Sequence, residues 1–297
     1  MKKHLFALTL MAVATTAAFA QANTLEKVKN SGEISLGVRE SSGLGYTLGN
    51  GKYVGFHTEM AENIIKDLEK EVGKPIKIKY QPITSQNRIP LVTNGTIDFE
   101  CGSTTNNLAR QKDVDFAHTT FVEEVRMATK KDSGINSVAD LKGKTVAVTT
   151  GTTSVQTLRK HRRAEGVNFK EVMGKDHADS FLLLETGRAD VFVMDGTILA
   201  ANIAKSQKPG DYHMVGEVLN VEPIACMLRK NDEAFKAAIN KSIERQIKDG
   251  TLEKLWDKWF LQPTPPANTV INLQLSESTK KAWANPNNKP AEDYKVE

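Results

Sequence analysis

The 297-residue chain has no second long apolar run. Past residue 20 nothing approaches the roughly 20 consecutive apolar residues that cross a bilayer, so no membrane-spanning helix is expected in the body of the protein. A charge excess is also missing: 40 Lys and Arg stand against 36 Asp and Glu. Removing Lys2 and Lys3 takes the formal charge from +4 to +2. So weak a balance does not suggest nucleic acid, and the basic cluster at 159–163 reads as a solvated helix face. Neither a Ser/His/Asp arrangement nor metal-spaced His and Cys appears, so no catalytic residue, cofactor or metal is expected. There are only two cysteines, Cys101 and Cys226. In an oxidising compartment they favour one disulfide, with two separate buried thiols as the alternative.

Residues 1–20 do not read as part of the fold. Lys2 and Lys3, an apolar run from Leu5, and Ala18-Phe19-Ala20 form a secretory leader with a cleavage site after Ala20. No cysteine lies near the cut, so no lipid anchor is expected there. The remaining length exceeds one typical core and favours two domains.

The chain is organised around residues 83–113. A helix begins near Asn87, with Pro90 in its first turn, where a missing N–H costs little. Asn94-Gly95 stops it, and residues 97–101 follow as a buried strand that runs out into GSTTNN and Arg110. This unit gathers Ser85, Arg88, Ser103, Thr105 and Arg110 at the open ends of a sheet. Hydroxyls beside guanidinium forks suit a small carboxylate, which arginine binds bidentately.

Elsewhere strands alternate with helices, the pattern of α/β units with parallel sheets. EISLGVR alternates as a strand, residues 56–72 carry apolar residues at helical spacing, and SSGLGYTLGNGK reads as a glycine-rich loop. TNGTIDFECGSTTN and ETGRADVFVMDGTI repeat one order: helix stop, buried strand, polar loop. The helix after KEVMG should be capped near Asp179 or Ser180. Two similar α/β lobes follow, the second inserted into the first and joined to it by two hinge strands at 120–125 and 221–226. The divisions expected are 21–121 for the first part of lobe I, 122–222 for lobe II with its hinge strand, and 223–297 for the return and tail. Open α/β sheets bind ligands at strand carboxyl ends, and Arg39, Ser103, Thr105, Thr152, Thr153, His177 and Asp195 all fall there.

ITSQNRIPLVTNGTIDFECGSTTNN, VTTGTTS, KDHADSF, DLKGK and GTLEKLWDKWF together resemble the periplasmic glutamate/aspartate-binding proteins of amino-acid ABC transporters, in solute-binding protein family 3. The likeness runs from Leu25 to about Asn288 and implies the type II periplasmic binding protein fold. It implies that Arg110, the 103–105 loop and the backbone N–H groups of Thr152 and Thr153 hold a ligand's α-carboxylate. Asp195 would take the α-ammonium, and Arg39, Ser85, Arg88 and His177 the side-chain carboxylate. A periplasmic monomer that delivers L-glutamate or L-aspartate to a membrane-embedded permease is what this resemblance implies. One departure is local: relatives carry an aromatic-rich segment after the first arginine, whereas this chain has SSGLGYTLGN.

Charge balance agrees with an acidic ligand. Two carboxylates and one ammonium match Arg110, Asp195 and the Arg39–Arg88 pair, while a neutral amino acid would leave guanidinium groups desolvated and unpaired. The other function considered, an exported dehydratase on the same fold, needs a carboxylic acid aimed at a leaving group. Asp195 is the one candidate, and the ammonium occupies it.

Overall fold

The structure is a computed structural model that describes residues 23–296. The leader expected at 1–20 lies outside the described residues. Ten strands run in chain order: β1 Glu33–Arg39, β2 Tyr46–Gly49, β3 Lys52–Val54, β4 Lys77–Ile83, β5 Phe99–Glu100, β6 Val114–Lys130, β7 Thr145–Thr149, β8 Lys170–Gly174, β9 Val191–Asp195 and β10 Tyr212–Arg229. The α-helices are α1 Thr24–Ser31, α2 Phe56–Val72, α3 Arg88–Thr93, α4 Thr153–Glu165, α5 His177–Glu185, α6 Gly196–Lys205, α7 Glu233–Lys248, α8 Thr251–Trp256 and α9 Glu277–Ala284.

Eight strands form one sheet in the order β4-β1-β5-β10-β6-β9-β7-β8. The inner pair, β6 and β10, is long enough to serve two lobes. Its first-lobe half carries β5, β1 and β4, and its second-lobe half carries β9, β7 and β8. Within each lobe the short strands pair in parallel. The long pair is antiparallel, as are its contacts with β5 and β9, so the sheet is mixed and not parallel throughout. Residues 121–125 face 220–224 across the ladder, and register shifts on both sides of that stretch let the two halves bend.

Apolar patterning explains the packing. In α2 the buried residues Met60, Ile64, Ile65 and Leu68 share one face, and Gly73, at φ +74°, ends the helix in the left-handed region. That face packs with Phe235, Ile239, Trp256 and Phe260 over β1 and β5. Lobe II has a cluster on each face of its sheet, one around Val146, Val148, Val191 and Val193 and another around Phe181, Phe192 and Ile198. The tail docks on the hinge: Trp283 Nε1 donates to the Thr120 carbonyl (2.9 Å), and the Val122 N–H donates to Thr279 Oγ1 (3.0 Å).

Three local expectations are corrected. The strand expected at 97–101 pairs only at Phe99–Glu100. The Asp98 carboxylate takes the Ser35 N–H (2.8 Å) and Lys27 (2.6 Å), so a side chain does there what ladder pairing would do. The cap position of helix α5 is Asp176, three or four residues before the expected Asp179 or Ser180, and His177 is its first residue. The loop after Arg39 contains a hairpin, β2 with β3, closed at Asn50-Gly51.

Cys101 and Cys226 are bonded, with Cα atoms 4.2 Å apart at a sequence separation of 125. So long a closed loop corresponds to roughly 4–5 kcal/mol of stabilisation on a chain-entropy account. The denatured, unreduced protein is therefore expected to show no free thiol. Reduction, or replacing both cysteines by Ser, should lower the denaturant midpoint; an unchanged midpoint would show that the bridge adds nothing.

Candidate ligand-binding cleft

Side chains from the ends of six strands converge between the lobes. Arg39 closes β1, Ser85 and Arg88 follow β4, Ser103 and Thr105 follow β5, and Arg110 opens the short turn beyond. From lobe II, Thr152 and Thr153 begin α4, His177 begins α5, and Asp195 ends β9. The ten expected residues thus lie at or just beyond strand ends of the two lobes.

At one end sits the buried Arg39. Its Nη1 donates to Ser85 Oγ (3.1 Å) and reaches Ser103 Oγ at 3.5 Å. Its Nη2 is 2.8 Å from both Asp176 Oδ1 and His177 Nε2. A guanidinium only donates, so Nε2 accepts and His177 carries its proton on Nδ1, which meets Thr149 Oγ1 at 3.1 Å. Burial, and then the Arg39 charge, depress the His177 pKa to about 3, so the ring is neutral. Both nitrogens are engaged, which makes His177 a support for Arg39 and leaves it no spare donor.

Arg88 is 1% exposed; its Nη1 donates to the Ser103 carbonyl (2.9 Å), while its Nε has no partner among the described residues. Burial, followed by the Arg110 charge, works against its ionisation, and Glu100 opposes them. At the other end Arg110 Nη1 donates to the Thr105 carbonyl (2.8 Å). Thr153 is the first residue of α4, so its N–H lies at the free positive end of that helix. Thr152 differs: its N–H (3.4 Å) and hydroxyl (2.8 Å) both turn back to the Thr149 carbonyl.

Asp195 precedes α6 but makes no side-chain capping bond, and its Oδ1 is buried without a partner among the described residues. Burial, then Glu123 and Glu222, push its pKa well above the usual carboxylate value, against Arg88 and Arg110. An acceptor so placed is suited to a cationic donor.

The arrangement is a polar, two-walled cleft with cations at both ends and an acid between. A family profile described as bacterial extracellular solute-binding proteins, family 3, matches residues 34–262. The chain belongs to this family. It is 44% identical over 281 residues to the glutamate/aspartate import solute-binding protein of Salmonella typhimurium, covering 94% of this chain and 93% of that one. It is 42% identical over 272 residues to the L-glutamate/L-aspartate-binding protein of Pseudomonas aeruginosa, covering 91% and 90%. Among solved structures, a mutant arginine-binding protein of T. maritima superimposes with a TM-score of 0.70 at 28% identity, covering 79% of this chain and 98% of that one. The fold is the two-lobed α/β architecture of amino-acid-binding proteins, in a family of transport binders and not of enzymes.

This family 3 solute-binding protein also uses three acids that its sequence did not single out. Glu222 on β10 takes both threonine hydroxyls on Oε2, from Thr105 of lobe I and Thr153 of lobe II (2.6 Å), and Asn220 Nδ2 on Oε1 (2.9 Å). Glu123 lies directly opposite Glu222 in the ladder and accepts the N–H (3.1 Å) and the hydroxyl of Thr197. Asp176 joins Arg39 to lobe II. The available signal for the glutamates was a carboxylate within an otherwise apolar run; for Asp176 it was the residue beside His177.

Burial raises the Glu123 pKa from 4.5 to about 7. The folded protein then holds that proton more tightly than the unfolded chain does. The resulting stabilisation is complete below pH 4.5 and is lost as pH rises through 7. Relative to the parent, Glu123→Gln should therefore gain in melting temperature between pH 4.5 and 8. Parallel pH profiles for the two proteins would refute the assignment.

Proposed function

We propose that the cleft captures L-glutamate or L-aspartate and that lobe closure presents the amino acid to a membrane-embedded ABC permease. The observation that carries this reading is the charge pattern: three arginines, Arg39, Arg88 and Arg110, with the buried Asp195, whose Oδ1 has no partner among the described residues. The ligand specificities named for the Salmonella and Pseudomonas relatives support it. In this reading Arg110, the 103–105 loop and the N–H of Thr153 hold the α-carboxylate, and Asp195 receives the ammonium. Arg88 faces the side-chain carboxylate with Arg39 and Ser85 beside it. Because Asp176 already opposes Arg39, Arg88 carries most of the selective charge. Lobe I alone can hold the carboxylates, whereas Asp195 and Thr153 join only on closure. That difference in affinity is what a ligand needs to shift the lobes.

The protein acts in this proposal as an exported periplasmic monomer, its leader removed after Ala20, with lobe boundaries near residues 121 and 222. Calorimetry on ligand-stripped protein should show tight binding of glutamate or aspartate and much weaker binding of neutral and basic amino acids. Equal affinity across such a panel would overturn the reading.

Two substitutions separate the roles. Arg88→Met keeps most of the stem and should cost about 2–5 kcal/mol of glutamate affinity, a loss of tens- to thousands-fold. Glutamine, with a neutral amide, should lose far less, so discrimination narrows. Arg110→Met should weaken glutamate and glutamine alike. A glutamate-to-glutamine affinity ratio left at the parental value by Arg88→Met would contradict this division of labour.

A further inference from the structure

The segment 41–46, read from sequence as a plain glycine-rich loop, is firmly built into lobe I. The Ser42 N–H donates to the Gly45 carbonyl (2.9 Å), and Leu44 is fully buried with its carbonyl accepting the His57 N–H (2.8 Å). The opposite side of the segment rests on lobe II at three separate places. Ser41 Oγ donates to Asp176 Oδ2 (2.6 Å) and accepts the Ala178 N–H (3.2 Å). Lys205 lays its ammonium over the Tyr46 ring, 3.3 Å from the centroid. Between them Gly43 lies so close to α6 that a Cβ would stand 2.4 Å from the Thr197 carbonyl oxygen and 2.7 Å from its carbon.

These contacts follow the cleft from one end to the other. Asp176 and Ala178 flank His177, while Thr197 follows Asp195 by two residues and is held from the hinge by Glu123. A cavity of about 260 Å³ at the mouth is lined from both sides, by Ser41 and Tyr46 and by Ala178 and Lys205. The segment is therefore rigid on one lobe and seated on the other.

We propose that residues 41–46 form a cross-cleft strap whose seat on Asp176, Thr197 and Lys205 sets the rate at which a bound amino acid leaves, with Gly43 as the residue that allows the lobes to meet. This rests on the binding reading above. Any side chain at Gly43 meets backbone atoms, which have little room to yield, so it holds the strap off α6. Ser41 and Lys205 act as smaller fastenings at either side.

Stopped-flow release of glutamate tests the strap. Gly43→Ala should release ligand roughly 10- to 100-fold faster, with association little changed. The double variant Ser41→Ala, Lys205→Gln should release it several-fold faster and tests the strap even if Gly43→Ala does not fold. Parental release rates in these variants would overturn the proposal. A parent that binds no acidic amino acid would instead defeat the binding reading. The strap is then judged by electron-spin distances between labels on Lys52→Cys and Lys208→Cys. These positions are exposed, and both native cysteines are paired. A short-distance population present in the parent background and missing with Gly43→Ala supports the strap, and identical distributions refute it.

Discussion

The pairing of β6 with β10 is the constraint on which the rest depends. These two strands run through both lobes as the middle pair of the eight-stranded sheet, with the lobe I strands added outward from β10 and the lobe II strands from β6. Their register places Glu123 opposite Glu222 at the point where one lobe gives way to the other. Like charges facing each other in an antiparallel ladder are unfavourable unless something compensates. Here each carboxylate is buried, and each is served by donors from outside the ladder, Thr197 for Glu123 and Thr105 with Thr153 for Glu222, which also takes Asn220 of its own strand. A stability cost in the hinge is thus converted into contacts that reach α4, α6 and the loop after β5.

Charge in the cleft is arranged by the same means. Arg39 is opposed at close range by Asp176 and supported by a neutral His177, whereas the Arg88 guanidinium donates to a backbone carbonyl and faces no carboxylate at salt-bridge distance among the described residues. Two arginines that look equivalent in sequence are therefore electrostatically different. Burial sharpens the contrast, because desolvation penalises whichever charge lacks a nearby opposite. Asp195 shows the converse case, an acid whose neighbours include two further acids as well as two arginines.

Much of this was legible in the residues. Helix α2 could be bounded from its apolar spacing and Pro75 beyond its end, and the hinge stretches from two extended runs. The convergence of Arg39, Arg88, Ser103 and Asp195 followed from the rule that ligands lie at strand carboxyl ends. What escaped depends on partners distant in sequence. Glu222 reads as a surface charge until Thr105 and Thr153, 117 and 69 residues away, are seen to converge on it. Asp98 interrupts an apolar strand because its side chain replaces a ladder partner, something no local pattern reveals. The local pattern passes over Asp176 for Asp179 or Ser180 as the helix cap, yet Arg39, 137 residues earlier, and Ser41 claim its oxygens. The glycines of the 41–46 segment suggest flexibility, whereas Gly43 is there because a backbone passes within contact distance.

The disulfide has a mechanical consequence. Cys226 lies in the first-lobe half of β10, and Cys101 stands two residues ahead of Ser103. The same loop is tied again by the Asn106 N–H to the Pro223 carbonyl (2.9 Å) and the Ala225 N–H to the Thr104 carbonyl (3.2 Å). Ser103 and Thr105 are thereby locked to the return strand itself and keep their place relative to it at any opening angle. In the proposed closure the 103–106 loop and the return strand therefore move as one piece.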